Sequence, residues 1–434
     1  MAAEPREAAA AIWRAALAAG DVAPLIRRHL RVDGRILKAG PLHLDLDRVR
    51  RILVLGAGKA GAAMAASAET VLGGRVSGGF VVVKDGYRVA TACVEVVEAG
   101  HPVPDARGVA ASARVLELAT SATADDLVLF LVSGGGSALT PAPAPPVTLE
   151  EKQALTRLLL AAGATINELN AVRKHLSRFK GGLLARAAAP ATVLTLALSD
   201  VIGDPLDVIA SGPTAPDPTT YADALAVLDH RGVLEGAPRA IVERLRAGTG
   251  GALAETPKPG DPVFARVTNL VIGNNALVAD AAAAEAERRG YRPHVLTRAL
   301  QGEARDTARD LVARARALPA PAALIAGGET TVTVRGRGRG GRCQEFALAA
   351  ALALEAGESL VVLAAGTDGT DGPTDAAGGV VDAATLVRGR AAGADAARAL
   401  ADNDAHAFLR AAGACIVSGP TNTNLLDLYL ILRL

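Results

Sequence analysis

The chain has 434 residues, of which 50% are apolar and 21% are charged, so it is long enough to form two or three globular domains. Its formal net charge of +1 provides no general attraction for nucleic acid or an anionic membrane, so an anion site must be local. The three cysteines form no C-x-x-C pair, which excludes a typical zinc or disulfide framework and favours reduced thiols in a cytoplasmic protein.

The first stretch of the chain predicts a soluble helix with Trp13 as its buried anchor. Its acidic residues Glu4, Glu7 and Asp21 and the lack of an apolar h-region argue against a signal peptide. The longest apolar runs are shorter than the ~18 residues that a membrane-spanning helix needs. We therefore expect no membrane partner.

An apolar strand, a glycine turn and a helix follow one another in RILVLGAGKAG, residues 51–61. Gly56, Gly58 and Gly61 match the G-x-G-x-x-G pattern, which is typical of dinucleotide sites. Lys59 is the unusual member, because it adds a cation where the first N–H groups of a helix already favour anions. Such a lysine is more typical of phosphoryl transfer than of hydride transfer, and the turn alone leaves both reactions open.

Apolar strands alternate with helical stretches, which predicts a parallel sheet covered on both faces. Residues 213–262, rich in Pro, Gly and polar residues, predict a linker or hinge between this series and a second βα series. We therefore divide the chain at about residue 240, into domains 1–240 and 241–434. The predicted strands are 52–55, 79–83, 94–98, 127–132, 192–198, 268–273, 323–326, 330–334 and 360–365, and the predicted helices of the first series lie near 60–72, 106–120, 149–162 and 168–187.

The polar, glycine-rich parts of the sequence stand at the predicted strand ends, where open parallel sheets bind ligands. One of them, SGGGS, comprises Ser133, Gly134, Gly135, Gly136 and Ser137, and its glycines let backbone N–H groups approach an anion. It is neither a Walker A loop nor a nucleophile elbow. The alternative is a tight turn that needs glycine for its geometry alone; we favour anion binding.

A basic row runs beside the apolar stripe of the predicted helix 168–187. Asn170, Arg173 and Lys180 recur at the spacing of one helical face, whereas Arg178 lies farther round toward solvent. This row either faces a cleft or is an ordinary solvated face with snorkelling stems, and the spacing favours neither.

Acidic residues follow several of the predicted strands. Asp200 and Asp204 in LSDVIGD suit Mg²⁺, which takes one or two protein carboxylates together with phosphate oxygens. Their alternative role is to cap loops, which is common for Asp next to Gly or Pro. Glu329 in GGETT and Asp368 and Asp371 in TDGTDG are further candidates for a metal ligand or a general base.

The tract RGRGRGGRCQEF, residues 335–346, resembles the RGG segments of RNA-binding proteins. No aromatic residues interleave its arginines, and ordered elements are predicted on both sides, so we favour a lid or a phosphate clamp. Arg342 stands at the start of the following helix, where the guanidinium and the helix dipole would act on one anion.

Seven stretches, in order along nearly the whole chain, resemble the glycerate 2-kinase family, which consists of two-domain kinases with a C-terminal MOFRL domain. The resemblance implies an N-terminal Rossmann-like α/β domain, a C-terminal α/β domain and an active site in the cleft between them. It also implies ATP, a divalent cation and phosphorylation of D-glycerate at its 2-hydroxyl. The stretches are LGAGKAGAAMA, GHPVPD, FLVSGGGSAL, NAVRKHLSRFKGG, LSDVIGDPLDVIASGPT, GGETTVTV with GGRCQE, and GTDGTDGPTDAAGG.

The family's lysine and arginine correspond to Lys59 and Arg342, which would neutralise charge on the phosphoryl group during direct transfer from ATP. Asp200 and Asp204 would hold Mg²⁺ or supply a general base. The expected partners are small molecules, without nucleic acid, and homodimer formation is left open. The candidate substrate- and phosphate-binding residues are Gly56, Gly58, Ser133, Gly134, Gly135, Gly136, Ser137, Asn170, Arg173, Glu329 and Asp368.

Two other functions stay open on the sequence. Relatives are often labelled hydroxypyruvate reductases, and Asp85 follows the second strand, where an NAD site has an acid for the ribose. No His/Glu or His/Asp arrangement typical of 2-hydroxyacid reduction stands out. A two-lobed binding protein without catalysis is the other alternative, and the density of charged groups at strand ends disfavours it.

Overall fold

The computed structural model describes residues 5–434, which form two compact α/β units. The central unit comprises residues 22–272, and the C-terminal unit combines residues 5–21 with 273–434. The boundary thus follows Ile272 rather than residue 240, and Glu4 lies outside the described residues. The predicted hinge at 213–262 contains two helices whose residues Tyr221 and Ile241 are buried with Leu169 in one apolar cluster, which is why this segment belongs to the central unit.

The secondary structure alternates strands and helices through most of the described chain. The strands are β1 (Arg31–Asp33), β2 (Ile36–Ala39), β3 (Leu42–Asp45), β4 (Arg51–Ala57), β5 (Val76–Lys84), β6 (Val94–Ala99), β7 (Asp126–Val132), β8 (Thr192–Leu198), β9 (Val267–Gly273), β10 (Arg292–Leu300), β11 (Ala322–Gly328), β12 (Leu360–Gly366), β13 (Gly378–Asp382), β14 (Cys415–Ile416) and β15 (Asp427–Arg433). The helices are α1 (Pro5–Ala19), α2 (Val22–His29), α3 (Gly61–Leu72), α4 (Ala106–Thr120), α5 (Gly136–Leu139), α6 (Leu149–Ala161), α7 (Ile166–His175), α8 (Leu183–Ala188), α9 (Tyr221–His230), α10 (Arg239–Thr249), α11 (Asn275–Arg288), α12 (Ala304–Ala317), α13 (Arg342–Ala353), α14 (Thr385–Ala391), α15 (Ala396–Ala401) and α16 (Ala405–Ala411).

A six-stranded sheet in the order β6-β5-β4-β7-β8-β9 forms the core of the central unit, as the alternating strands predict. β4, β5, β6, β7 and β8 pair in parallel, and their apolar residues are buried because helices cover the sheet. Ala57 pairs with Val132, and Val132 pairs with Ala197. The loops that follow these three strands therefore begin at one edge of the sheet. A separate three-stranded antiparallel sheet, β1-β2-β3, precedes it.

The predicted helix 168–187 is two helices, α7 and α8, because the chain turns through the left-handed conformation at Gly181 and Gly182. Its apolar residues consequently divide between two cores: Leu176 joins the cluster around α9 and α10, and Phe179 packs under the parallel sheet. The start of α6 is as predicted, with Thr148 and Glu151 forming a capping box.

The C-terminal unit contains a mixed sheet in the order β10-β11-β15-β12-β13-β14. β10 and β11 are parallel, whereas β15 runs antiparallel to both β11 and β12 and separates them. The sequence prediction omits β10, β13, β14 and β15. It is wrong at 330–334, where the structure has an isolated bridge at Thr331 instead of a strand.

The N-terminal helix packs into the C-terminal unit, where Ile12, Trp13 and Ala16 are buried, so the expected anchoring role of Trp13 is confirmed. By length and composition alone, the segment Pro5–His29 could span a membrane. The sequence prediction, which was based on the length of uninterrupted apolar runs, identified no such segment. Half of the apolar window of Pro5–His29 is buried inside the structure, and the segment is divided between α1 and α2.

Candidate active site

The glycine turn after β4 is fastened to the SGGGS loop after β7. Gly58 has a φ of +128°, and a Cβ there would collide with Ser133. The Lys59 N–H donates to Gly134 O at 2.9 Å, and the Ala60 N–H donates to Ser133 Oγ at 2.9 Å. Two loops from adjacent strands thus form one rigid platform.

This fastening changes the roles that the sequence suggests for the platform. The backbone N–H groups of Lys59 and Ala60 are already occupied, so they do not form the open anion nest of a dinucleotide turn. Ser133 is fully buried and acts as the acceptor that joins the loops. Gly56 allows β4 to approach Leu131 closely. The half-buried side chain of Lys59 therefore carries the charge that the turn can offer to an anion.

A hydroxyl chain connects the SGGGS loop to α7. Ser137 Oγ and Ser211 Oγ lie 2.9 Å apart, and Ser211 Oγ donates to Asn170 Oδ1 at 3.0 Å. Ala210 and Ser211 both have positive φ, at 50° and 62°, a strain that proteins usually keep at functional sites. Ser211 was not among the residues predicted from the sequence, although the Ser-Gly-Pro string that contains it indicates a turn.

A pocket of about 450 Å³ lies beside the platform in the central unit. Gly135 and Ser137 border it, together with His101 and the predicted basic row at Arg173 and Lys180. The cleft-facing alternative for that row is therefore the one that the structure supports, and Arg178 is exposed as expected. Burial lowers the pKa of Arg173, and it lowers that of Lys180 strongly with help from neighbouring cations.

Asp200 and Asp204 lie in the loop after β8, at the same edge of the sheet as the platform. Both are half-buried, and Asp204 has a φ of +55°, which Asp tolerates better than most residues do. Across residues 5–434, no group of three or more His, Cys, Asp or Glu side chains is arranged to hold a metal ion. Two carboxylates still fit Mg²⁺, since phosphate and water oxygens complete its shell.

The C-terminal unit holds Arg342 between two carboxylates at the start of α13. Its Nε and Nη2 donate to the two oxygens of Asp427 at 2.6 and 3.0 Å, and its Nη1 lies 2.6 Å from Glu329 Oε1. Burial alone would lower the pKa of Arg342, but the two carboxylates outweigh it and raise that pKa. The prediction that Glu329 binds phosphate conflicts with this ion pair, because Glu329 is itself anionic and serves to hold the guanidinium.

Asp427 is the main residue that the sequence analysis missed. It begins β15, whose register sets it opposite Gly328 of β11 and Gly366 of β12. Its carboxylate is 1% exposed and also accepts from Tyr429 Oη at 3.0 Å. Without the antiparallel strand β15 in the prediction, no sequence signal brought Asp427 to the ends of those two strands.

The acidic residues of TDGTDG serve local structure. Asp368 Oδ1 accepts from the N–H and hydroxyl of Thr370 and so caps its own loop. Asp371 accepts from the N–H groups of Cys343 and Gln344 at the first turn of α13. Burial raises the pKa of Asp371 to about 6.

The arginine-glycine tract is tied down through its backbone. The N–H groups of Arg335 and Gly336 donate to Asn403 Oδ1, and those of Arg337 and Arg339 donate to the carboxylates of residues 402 and 404. This tract therefore borders α13 as an ordered loop, and the expectation of a flexible lid gains no support from its hydrogen bonds.

The fold and these side chains define a class: an α/β enzyme whose glycine loops and fixed cations act on small anionic substrates. Residues 8–246 match the domain of unknown function DUF4147, and residues 322–427 match the MOFRL family.

Named relatives cover nearly the same length. The chain is 46% identical to the D-glycerate 2-kinase of Thermotoga maritima, over 89% of the chain and 91% of the relative. It is 43% identical to an Agrobacterium vitis protein with a provisional hydroxypyruvate reductase name, over 88% and 87%. The crystal structure of a Thermotoga maritima glycerate kinase superposes with a TM-score of 0.84 at 41% identity, covering 99% of each chain. The chain belongs to the glycerate kinase family.

Proposed function

We propose that this chain is an ATP-dependent D-glycerate 2-kinase, which transfers the γ-phosphoryl group of ATP to the 2-hydroxyl of D-glycerate. The observation that carries the proposal is the platform formed by the Lys59 turn and the SGGGS loop. It holds a cation beside a pocket lined by further cations. Phosphoryl transfer needs such positioning and charge neutralisation more than covalent chemistry.

Lys59 and Arg342 are proposed to neutralise charge on the transferred group. The platform holds the backbone of Lys59, and Asp427 orients the guanidinium of Arg342, which makes Asp427 a positioning residue. A guanidinium has five N–H donors, so the three that contact Asp427 and Glu329 leave two for a phosphate oxygen. The hydroxyl chain from Ser137 to Asn170 is proposed to fix the loop that borders the substrate pocket.

Asp200 and Asp204 are proposed to hold Mg²⁺ together with phosphate oxygens of the nucleotide. The bound ion would lower the negative charge on those phosphates. The carboxylates themselves would orient the nucleotide at the edge of the sheet that carries the platform. The chain is further proposed to act in the cytoplasm, since Cys93, Cys343 and Cys415 are all free thiols.

The acceptor hydroxyl is part of the proposal. The Thermotoga maritima relative is named a 2-kinase, whereas the Thermotoga maritima crystal structure carries EC 2.7.1.31, the number for phosphorylation at the 3-position. The identity of the phosphoglycerate isomer is therefore the decisive readout.

The reductase alternative depends on an acid that is free to bind a ribose. Asp85 does follow β5, but both of its oxygens accept from Arg107, at 2.7 and 2.8 Å. This pairing lowers the pKa of Asp85 and would compete with a nucleotide ribose for its carboxylate. The ion pair therefore favours the kinase.

The test is to incubate the purified chain with D-glycerate, ATP and Mg²⁺, measure ADP release and identify the product by NMR. 2-Phosphoglycerate is the expected product. 3-Phosphoglycerate would keep the reaction class and overturn the 2-hydroxyl assignment. NAD(P)H oxidation on hydroxypyruvate without ADP release would overturn the kinase.

A further inference from the structure

The pocket beside the platform is larger than a three-carbon acid requires. Its volume of about 450 Å³ lies in the range of sites for drug-sized ligands, ~300–1,000 Å³. One wall is a single face of α6, whose lining residues run from Leu149 to Leu160 at alternating steps of three and one. The loop 101–104 forms another wall. The pocket therefore accepts an extended molecule along α6.

One half of the pocket is lined by the cations Lys152, Arg173 and Lys180. Lys152 Nζ donates to two backbone carbonyls, at 2.6 and 3.1 Å, and Lys180 Nζ donates to two others, at 2.7 and 3.0 Å. Within the described chain, neither these lysines nor Arg173 forms a salt bridge with a carboxylate. Three clustered cations at a partly desolvated site repel one another, and an anion would relieve that cost.

The pKa directions agree with this arrangement. Burial, together with the charges of the nearby Arg173 and Arg244, lowers the pKa of Lys152 to about 7. Burial and the charges of Lys152 and Arg173 also lower the pKa of Lys180. A bound polyanion would offset the repulsion from the neighbouring cations and so raise the pKa of both lysines.

The other half of the pocket exposes large apolar side chains. Val103 is 63% exposed and Leu160 is 56% exposed, and both line the pocket. Together with the prolines of the 101–104 loop, they offer a surface on which a flat, apolar group such as a purine base can pack.

The cationic half of the pocket adjoins the part of the platform that carries Lys59. Gly135 borders the pocket, and a Cβ on it would lie 3.7 Å from Lys59 Cγ. A ligand whose negative charge lies along Lys152, Arg173 and Lys180 would therefore end near Lys59.

We infer that this pocket binds the nucleoside triphosphate donor, with the base on Val103 and Leu160 and the phosphates along the three cations toward Lys59. The inference rests on the proposed function in taking a nucleotide as the phosphoryl donor. Glycerate has one carboxylate and no apolar body, so it would leave most of the pocket unfilled.

The first experiment tests the apolar half by calorimetric titration of the full-length protein with ADP, tripolyphosphate and D-glycerate. Leu160→Ser is expected to weaken ADP binding about fivefold or more, because it removes apolar contact with the base. It should leave the affinity for tripolyphosphate, which has no base, unchanged. Ile166→Ser is the matched control, since Ile166 is 53% exposed on α7 and does not line the pocket.

The second experiment tests the cationic half with the same probes. Arg173→Met is expected to weaken both ADP and tripolyphosphate about tenfold or more, because each loses a charge-assisted contact to phosphate. Arg178→Met is the control, because Arg178 is exposed and lies outside the pocket lining. Unchanged ADP affinity in both Leu160→Ser and Arg173→Met would overturn the assignment.

The outcomes separate this inference from the proposed function. If the wild-type chain makes phosphoglycerate while both variants keep the wild-type ADP affinity and KM for ATP, the pocket assignment is wrong and the kinase stands. If the wild-type chain makes no phosphoglycerate but ADP binding still depends on Leu160 and Arg173, the kinase is wrong and the nucleotide pocket stands.

Discussion

The candidate site cations of the two units have opposite kinds of hydrogen-bond partner. Lys152, Arg173 and Lys180 in the central unit contact backbone carbonyls or line a pocket without a carboxylate partner. Arg342 in the C-terminal unit is held by Asp427 and Glu329. Uncompensated cations attract an anion strongly but cost stability, whereas a compensated cation is precisely oriented and offers less net charge. The first arrangement suits binding, and the second suits orientation during the reaction.

The largest effect is expected at Lys59. This residue is the cation of the platform and belongs neither to the pocket group nor with Arg342. Lys59→Ala should reduce kcat/KM for phosphoryl transfer by about two to four orders of magnitude, since it removes a cation aimed at the transferred group. Steady-state kinetics and a thermal melt test this, with the exposed Arg75→Ala as the control. Near-normal turnover of Lys59→Ala would remove this residue from the mechanism.

Substitution of Arg342 should reduce both the activity and the stability of the protein. Arg342→Ala leaves the buried Asp427 without its partner, which typically costs ~3–5 kcal/mol, so this variant should melt earlier as well as lose activity. The double variant Arg342→Ala/Asp427→Asn should regain most of the stability but none of the activity. Thermal melts and kinetics on both proteins separate the two roles; recovery of turnover in the double variant would contradict a role for Arg342.

Asp427 itself is expected to act only through Arg342. Asp427→Asn keeps the shape of the side chain but weakens its hold on the guanidinium, so kcat should fall about tenfold to a hundredfold while KM for ATP changes little. A fall in kcat that is equally large in an Arg342→Lys background would show that Asp427 acts by another route.

A smaller effect is expected from Gly135, where the platform meets the pocket. Gly135→Ala strains a backbone at φ +86° and brings its methyl group to 3.0 Å from the His101 ring, so we expect kcat/KM to fall about tenfold. Gly163→Ala is the matched control, because Gly163 has a φ of +70° with nothing within 4 Å of the added methyl group. Equal effects of the two substitutions would assign the loss to backbone strain alone.

The two units also differ in how much of their structure could be predicted from the sequence. In the central unit, parallel strands and their glycine loops are local patterns, so the two loops at 51–61 and 133–137 were predictable, whereas the hydrogen bonds that join them into the platform were not. In the C-terminal unit, Asp427 reaches Arg342 because β15 inserts antiparallel between β11 and β12. That pairing depends on contacts distant in sequence, which periodicity does not reveal.

The predicted helix 168–187 shows the same limit within the central unit. The spacing of Arg173 and Lys180 suggested one basic face, but only Arg173 is helical, because α7 ends at His175 and Lys180 lies in the connection to α8. Both still line the pocket. Composition therefore identified the cations correctly, while the tertiary structure, and not helical periodicity, brings them together.

The weakest expected effect is a pH dependence of ADP affinity. It should come from Lys152, which has no carboxylate partner, and not from Arg342. In the free protein, burial, Arg173 and Arg244 hold the pKa of Lys152 at about 7, so the free protein loses this proton as the pH rises above that value. A bound nucleotide favours the protonated amine and raises that pKa, so binding takes up a proton and ADP affinity should fall as the pH rises, by at most about tenfold per unit. The last phosphate ionisation has a pKa of ~6 and is nearly complete at higher pH, so calorimetric titrations between about pH 7.5 and 9 report the protein.

Lys152→Met is the variant that decides whether this slope belongs to Lys152. It should bind ADP more weakly near neutral pH and with a flatter pH profile, while Lys180 and Arg173 still face the ligand. Arg342, whose pKa is raised by its carboxylates, stays protonated across this range, so Asp427→Asn should leave the slope unchanged. If Asp427→Asn flattened the profile and Lys152→Met did not, the distinction between uncompensated and compensated cations would have to be reversed.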